Sequence, residues 1–69
     1  MKLSARNQFK GKIVEIKKGT TTAHVRIGIG GGQIVTASIT NESVDDMQLK
    51  NDMTAYAIIK ASNVIIGVD

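Results

Sequence analysis

Cysteine, proline and tryptophan are absent from this chain, and histidine, phenylalanine and tyrosine occur once each. Without cysteine there are no disulfides, no thiolate metal sites and no thiol nucleophile. A single histidine, His24, cannot build a histidine metal cluster within one chain. No apolar run approaches the ~20 residues of a membrane-spanning helix. The start, MKLSARNQ, turns polar at once and lacks the apolar core of a signal peptide. The expectation is a cytoplasmic protein with no membrane partner. At 69 residues the chain is one domain, 1–69. So short a chain buries only ~60% of the surface its unfolded form exposes. Small domains offset this with disulfides, a metal or oligomerisation. The first two are excluded, so a homo-oligomer is expected.

What charge there is, is unevenly spread. Residues 1–26 carry seven Lys and Arg against Glu15 alone, a balance of +6; residues 27–69 carry −3. A basic half can attract an anion, or it can dock on the acidic half of a neighbouring subunit. Ordinary solvated strand faces also account for many of these lysines.

Along the chain, a run from Phe9 to Lys18 contains Ile13, Val14 and Ile16 and ends at Gly19. The adjacent pair Ile13-Val14 breaks strict alternation, which predicts a bulge or bend in a long first strand. TAHVRIGI, residues 22–29, alternates cleanly, with Ala23, Val25, Ile27 and Ile29 on one side and His24, Arg26 and Gly28 on the other. Gly30-Gly31-Gly32 is a tight turn, and QIVTASIT, residues 33–40, returns as the third strand. Thr40 or Asn41 can cap a short helix over 41–49, where acidic residues crowd the first turn. Residues 53–60 and 64–68 complete the set as strands four and five. The fold expected is all-β with one short helix: a five-stranded OB-like barrel in the order β-β-β-α-β-β. An SH3-like barrel has a similar strand count but no helix at that place.

Catalysis finds little support. His24 stands mid-strand on the polar face and reads as a solvated side chain. The neighbouring Asp45 and Asp46 are explained by the helix dipole. GIGGG, residues 28–32, joins two strands and lacks the GK[ST] of a phosphate loop. No enzyme is expected, and no cofactor. A basic OB barrel raises a second reading, a module that binds single-stranded nucleic acid. Such modules stack bases on aromatic side chains, and Phe9 with Tyr56 make a poor platform. Lysines alone give weak, salt-sensitive binding.

The polar start is harder to dismiss. Along an extended chain Ser4 and Arg6 point to the same face, and Lys60 with Ser62 repeats that spacing in reverse. Thr40 and Ser43 lie between them in sequence, at the junction of strand and helix. The set is rich in hydrogen-bond donors and contains no carboxylate. Phosphate near neutral pH carries a proton and profits from an acceptor. Molybdate, tungstate and sulfate are full dianions and need donors only, which bind them through strong charge-assisted bonds. S-x-R and K-x-S are nevertheless common spacings, and on spacing alone these four residues also read as unrelated surface groups.

SARNQFKGKIVEIKKG, residues 4–19, and YAIIKASNVIIGVD, residues 56–69, resemble the molbindin family of small molybdate- and tungstate-binding proteins, a TOBE-type module. The resemblance spans the whole chain. It implies an OB-like barrel in a hexamer, a trimer of dimers, with strand exchange and with oxyanion sites between subunits. Carried onto matching positions, it implies that Ser4, the Ala5 amide and Arg6 come from one subunit, and Lys60, Ala61 and Ser62 from another. Thr40 and Ser43 match the family's T-x-x-S. A second site type, at the turn after strand one, would here involve Gly19, Thr20, Thr21 and Thr22. The ligand implied is molybdate or tungstate, stored or buffered, with no protein group bonded directly to the metal.

Overall fold

The computed structural model describes residues 1–69. Four strands form one antiparallel sheet: β1 (Asn7–Lys18), β2 (Thr22–Gly30), β3 (Gln33–Thr40) and β4 (Thr54–Ile59), in the spatial order β3-β2-β1-β4. A short helix, α1 (Asn41–Asp46), lies between β3 and β4. Strand β1 is shared by two partners. Its first half pairs with β4, from Asn7↔Ile59 to Lys12↔Thr54, and its second half pairs with β2 as far as Lys18↔Ala23. The register slips between Ile13 and Glu15, at the expected break in alternation. The extra residue lets one long strand bend and serve both neighbours.

The alternation of β2 is read out as burial. Ala23, Val25 and Ile27 are buried, and His24 and Arg26 are exposed. Gly30, Gly31 and Gly32 all have positive φ, at 104°, 61° and 77°, so the hairpin needs glycine at each. At Gly11 the requirement is space instead: a Cβ there would lie 2.1 Å from the Gly28 carbonyl oxygen. That near-contact lets β1 and β2 cross closely at the bend.

Thr40 caps α1. Its Oγ1 accepts from the Ser43 amide at 3.0 Å and donates to the Ser43 hydroxyl at 2.8 Å. The helix is shorter than the expected 41–49: it caps at Met47, and Gln48 turns the chain at φ 53°. Val44 is its buried residue, and Leu49 packs against the core just beyond it.

The core is small. Six residues are buried: Ile13, Ala23, Val25, Ile27, Val44 and Ala57. Beside it runs an open apolar groove of about 500 Å³, lined by Ile27, Ile39, Met47, Leu49 and Met53 among others. The expected fifth strand is where sequence and structure part. Ala61–Asn63 form a single 3-10 turn, closed by the Val64 amide on the Ala61 carbonyl, and residues 64–69 pair with no strand of the chain. Ile65, Ile66 and Val68 are 92%, 83% and 92% exposed. Their composition is that of a strand, but a strand needs a partner edge, and the chain leaves this segment outside its own sheet. The barrel is therefore a four-stranded half-barrel, open along the groove.

Candidate functional site

The β1–β4 register decides where the polar start goes. The two strands end together at Asn7↔Ile59, and Asn7 Nδ2 donates to the Ile59 carbonyl at 3.0 Å. Residues 4–6 and 60–62 therefore leave the sheet from the same end, side by side. Ser4, Arg6, Lys60, Ala61 and Ser62 are exposed, and Ala5 is half-buried. The side chains of Ser4, Arg6, Lys60 and Ser62 make no hydrogen bond or salt bridge within the chain. The local fastenings end on backbone carbonyls: the Gln8 side-chain Nε2 donates to the Ala5 carbonyl, and the Asn63 backbone amide to the Lys60 carbonyl. The result is a guanidinium, an ammonium and two hydroxyls with no carboxylate among them.

Thr40 and Ser43 lie elsewhere. Thr40 pairs with Thr22 at the far end of the sheet, where β1 finishes at Lys18. The whole twelve-residue length of β1 separates them from the 4–6 and 60–62 segments. One chain thus sets side by side two groups that the resemblance assigns to different subunits, and holds the third apart.

The turn after β1 is closely fastened. Gly19 N donates to the Thr22 carbonyl at 2.7 Å. Asn41 clamps the rest: its Nδ2 donates to the carbonyls of Gly19 and Thr20, at 2.9 and 3.4 Å, and its backbone amide to that of Thr21. Asn41 Oδ1 is buried and has no partner in the chain. Next to the turn is a pocket of about 270 Å³ lined by Lys17, Lys18, Gly19, Thr22 and His24. Of the four residues expected here, Gly19 and Thr22 line the pocket; Thr20 and Thr21 do not. Lys18 Nζ meets Asp45 Oδ1 at 2.5 Å, so α1 is tied to the end of β1.

Lys17, His24 and Asn41 were not among the residues singled out from the sequence. Alternation marks His24 as lying on the polar face of β2, and the β1–β2 register then sets Lys17 opposite it. Asn41 had been weighed only as a helix cap. The aromatic residues also sort themselves by register. Phe9 pairs with Ala57 and Tyr56 with Lys10, on adjacent positions and hence opposite faces of the sheet. They form no shared stacking platform for bases.

Fold and site together define a small β-module with one donor-rich, carboxylate-free end and no cluster of metal-ligating side chains. Residues 3–66 match the TOBE domain, and the chain belongs to that family, in its molbindin branch. It is 46% identical over 69 residues, the whole of both chains, to the probable molybdenum-pterin-binding protein of Haemophilus influenzae. Among solved structures it is similar to MopII from Clostridium pasteurianum, with TM-score 0.90 and 40% identity over 97% of this chain and 100% of that one. It is also similar to the cytoplasmic molybdate-binding protein ModG in its molybdate-bound form, with TM-score 0.95 and 42% identity. That match covers all of this chain and 49% of the ModG chain, so the chain spans about half of ModG's length.

Proposed function

We propose that this chain binds molybdate or tungstate at sites completed between subunits, and holds the anion in the cytoplasm without transforming it. The observation that carries the reading is the donor-only end of the sheet, where Ser4, Arg6, Lys60 and Ser62 converge from two strands with no internal partner. Charge-assisted bonds from such groups are strong toward a dianion, and no carboxylate repels it. Thr40 and Ser43, one strand-length away, can join this cage only from another subunit. Relatives named as molybdate- or molybdenum-pterin-binding proteins support the choice of anion.

The assembly belongs to the same proposal: a hexamer built as a trimer of dimers, with segments exchanged between subunits. Two features support it. Residues 64–68 are a largely apolar segment outside the chain's own sheet, and the groove left open along the half-barrel is lined almost wholly by apolar side chains. The pocket beside Gly19 and Thr22 is the second anion site of the assembly. Selectivity against sulfate rests on size, because the metal–oxygen bonds are longer and a cage cut for them holds sulfate loosely.

Native mass spectrometry with and without molybdate, paired with calorimetry against molybdate, tungstate, sulfate and phosphate, tests the proposal. The expected result is a hexamer that retains molybdate and tungstate. Equally weak heats for all four anions would sink it, and a monomer that binds molybdate would remove the intersubunit cage.

A further inference from the structure

The pocket at the end of β1 is lined by no apolar side chain and no carboxylate. Lys17 and His24 are directly opposed in the β1–β2 register, which sets their Cβ atoms ~5 Å apart on one face. Both are exposed, and neither forms a salt bridge or a side-chain hydrogen bond within the chain. Lys18 also lines the pocket, but Asp45 holds its ammonium. The positive charge left free for a ligand is that of Lys17.

The other groups around His24 can be named element by element. From β1, Glu15 is turned to Arg26, with Nη1 and Oε1 3.7 Å apart. From β3, the residue opposite is Ser38, and that strand carries no charged residue. On β2 itself, Arg26 is the charged neighbour on the same face, and it faces Glu15. From α1, Asp45 is engaged by Lys18, while Glu42 and Asp46 form no ion pair. The carboxylates of Glu15 and Asp45 are thus taken by other cations, and no carboxylate lines the pocket. A proton on the imidazole adds a second cation beside Lys17; a dianion in the pocket turns that repulsion into two charge-assisted hydrogen bonds.

We propose that His24 is the proton-dependent donor of this pocket, and that the oxyanion enters it together with one proton taken up on the imidazole ring. The inference rests on the pocket being an anion site and adds its regulation. The balance is one neutral imidazole, one proton from solvent and one dianion, giving an imidazolium–dianion pair beside Lys17. Loading of this pocket therefore rises as pH falls. The donors at the other end of the sheet are guanidinium, ammonium and hydroxyl groups, with no imidazole among them.

His24 is the chain's one histidine, so its ring protons are the only imidazole signals in an NMR spectrum. The experiment follows those signals against pH with and without dilute molybdate, with bound molybdate counted by equilibrium dialysis. Calorimetry in two buffers of different ionisation enthalpy measures the proton taken up. With molybdate the ring signals are expected to titrate at higher pH than without it, with proton uptake largest between the two midpoints. Affinity at this pocket is expected to fall roughly fivefold from about pH 6 to about pH 8. His24→Gln keeps a polar side chain and should abolish proton uptake while leaving the chain folded. Lys17→Gln should weaken the pocket and shrink the displacement of the His24 signals. Bound molybdate that Lys17→Gln lowers while the His24 signals stay unmoved overturns the proton coupling and leaves the oxyanion reading of the pocket standing. No bound molybdate at any pH overturns both. Proton uptake that survives in His24→Gln belongs to another group and overturns the assignment.

Discussion

The two ends of β1 are built on opposite plans. At its start, Ser4, Arg6, Lys60 and Ser62 point into solvent and spend none of their donors inside the chain. At its finish, nearly every group is committed: Thr40 to Ser43, Asn41 to Gly19 and Thr20, Lys18 to Asp45. The first end contributes little to the fold and keeps its hydrogen-bonding capacity for something outside it. The second end holds the turn and helix in place and leaves only Lys17, Thr22 and His24 free around a pocket. Donors with no internal partner are the better marker of a ligand; donors with partners mark the scaffold.

This contrast can be broken by substitution at each end. Lys60→Ala should have the largest effect, and on binding alone. Losing one hydrogen bond to a charged ligand costs about 1.5–3 kcal/mol, which is roughly a tenfold to hundredfold loss in molybdate affinity by calorimetry. Its urea midpoint should not move, since Lys60 has no side-chain partner in the chain; a shifted midpoint would make it a scaffold residue. Asn41→Ala should do the reverse. It removes the side-chain bonds to the Gly19 and Thr20 carbonyls and should cost about 1–2 kcal/mol of stability, seen in chemical denaturation. An unchanged midpoint would mean the turn holds itself. Lys18→Ala should be the smallest, below about 1 kcal/mol, and smaller still in high salt, because both partners of its ion pair are exposed. A loss that persists in high salt would show that the Lys18–Asp45 contact does more than pair charges.

The sheet was legible because its signals are local. The alternation of Ala23, Val25 and Ile27, the three glycines of the hairpin and the broken alternation at Ile13-Val14 each act within a few residues. Thr40 as the helix cap was readable for the same reason. What could not be read was whatever depends on a partner elsewhere. Residues 64–68 have the composition of a strand, and composition does not say whose sheet receives it. The clamp by Asn41 joins residues about twenty apart, and nothing in NESVDD announces it. The pairing of Lys17 with His24 follows from register, and register was fixed only once the bend had been located. That the segments 4–6 and 60–62 lie side by side, a full strand away from Thr40 and Ser43, is a matter of topology and likewise has no local signal.

The six-residue core has a consequence for how the protein behaves on dilution. In the proposed assembly the apolar groove and residues 64–68 are covered by other chains, so folding and association are linked by mass action. The melting temperature should then climb with protein concentration, and each retained anion should raise it further by binding only the assembled form. A store built this way is self-limiting: scarce protein and scarce anion both favour separated chains, and the cargo is released as the container comes apart.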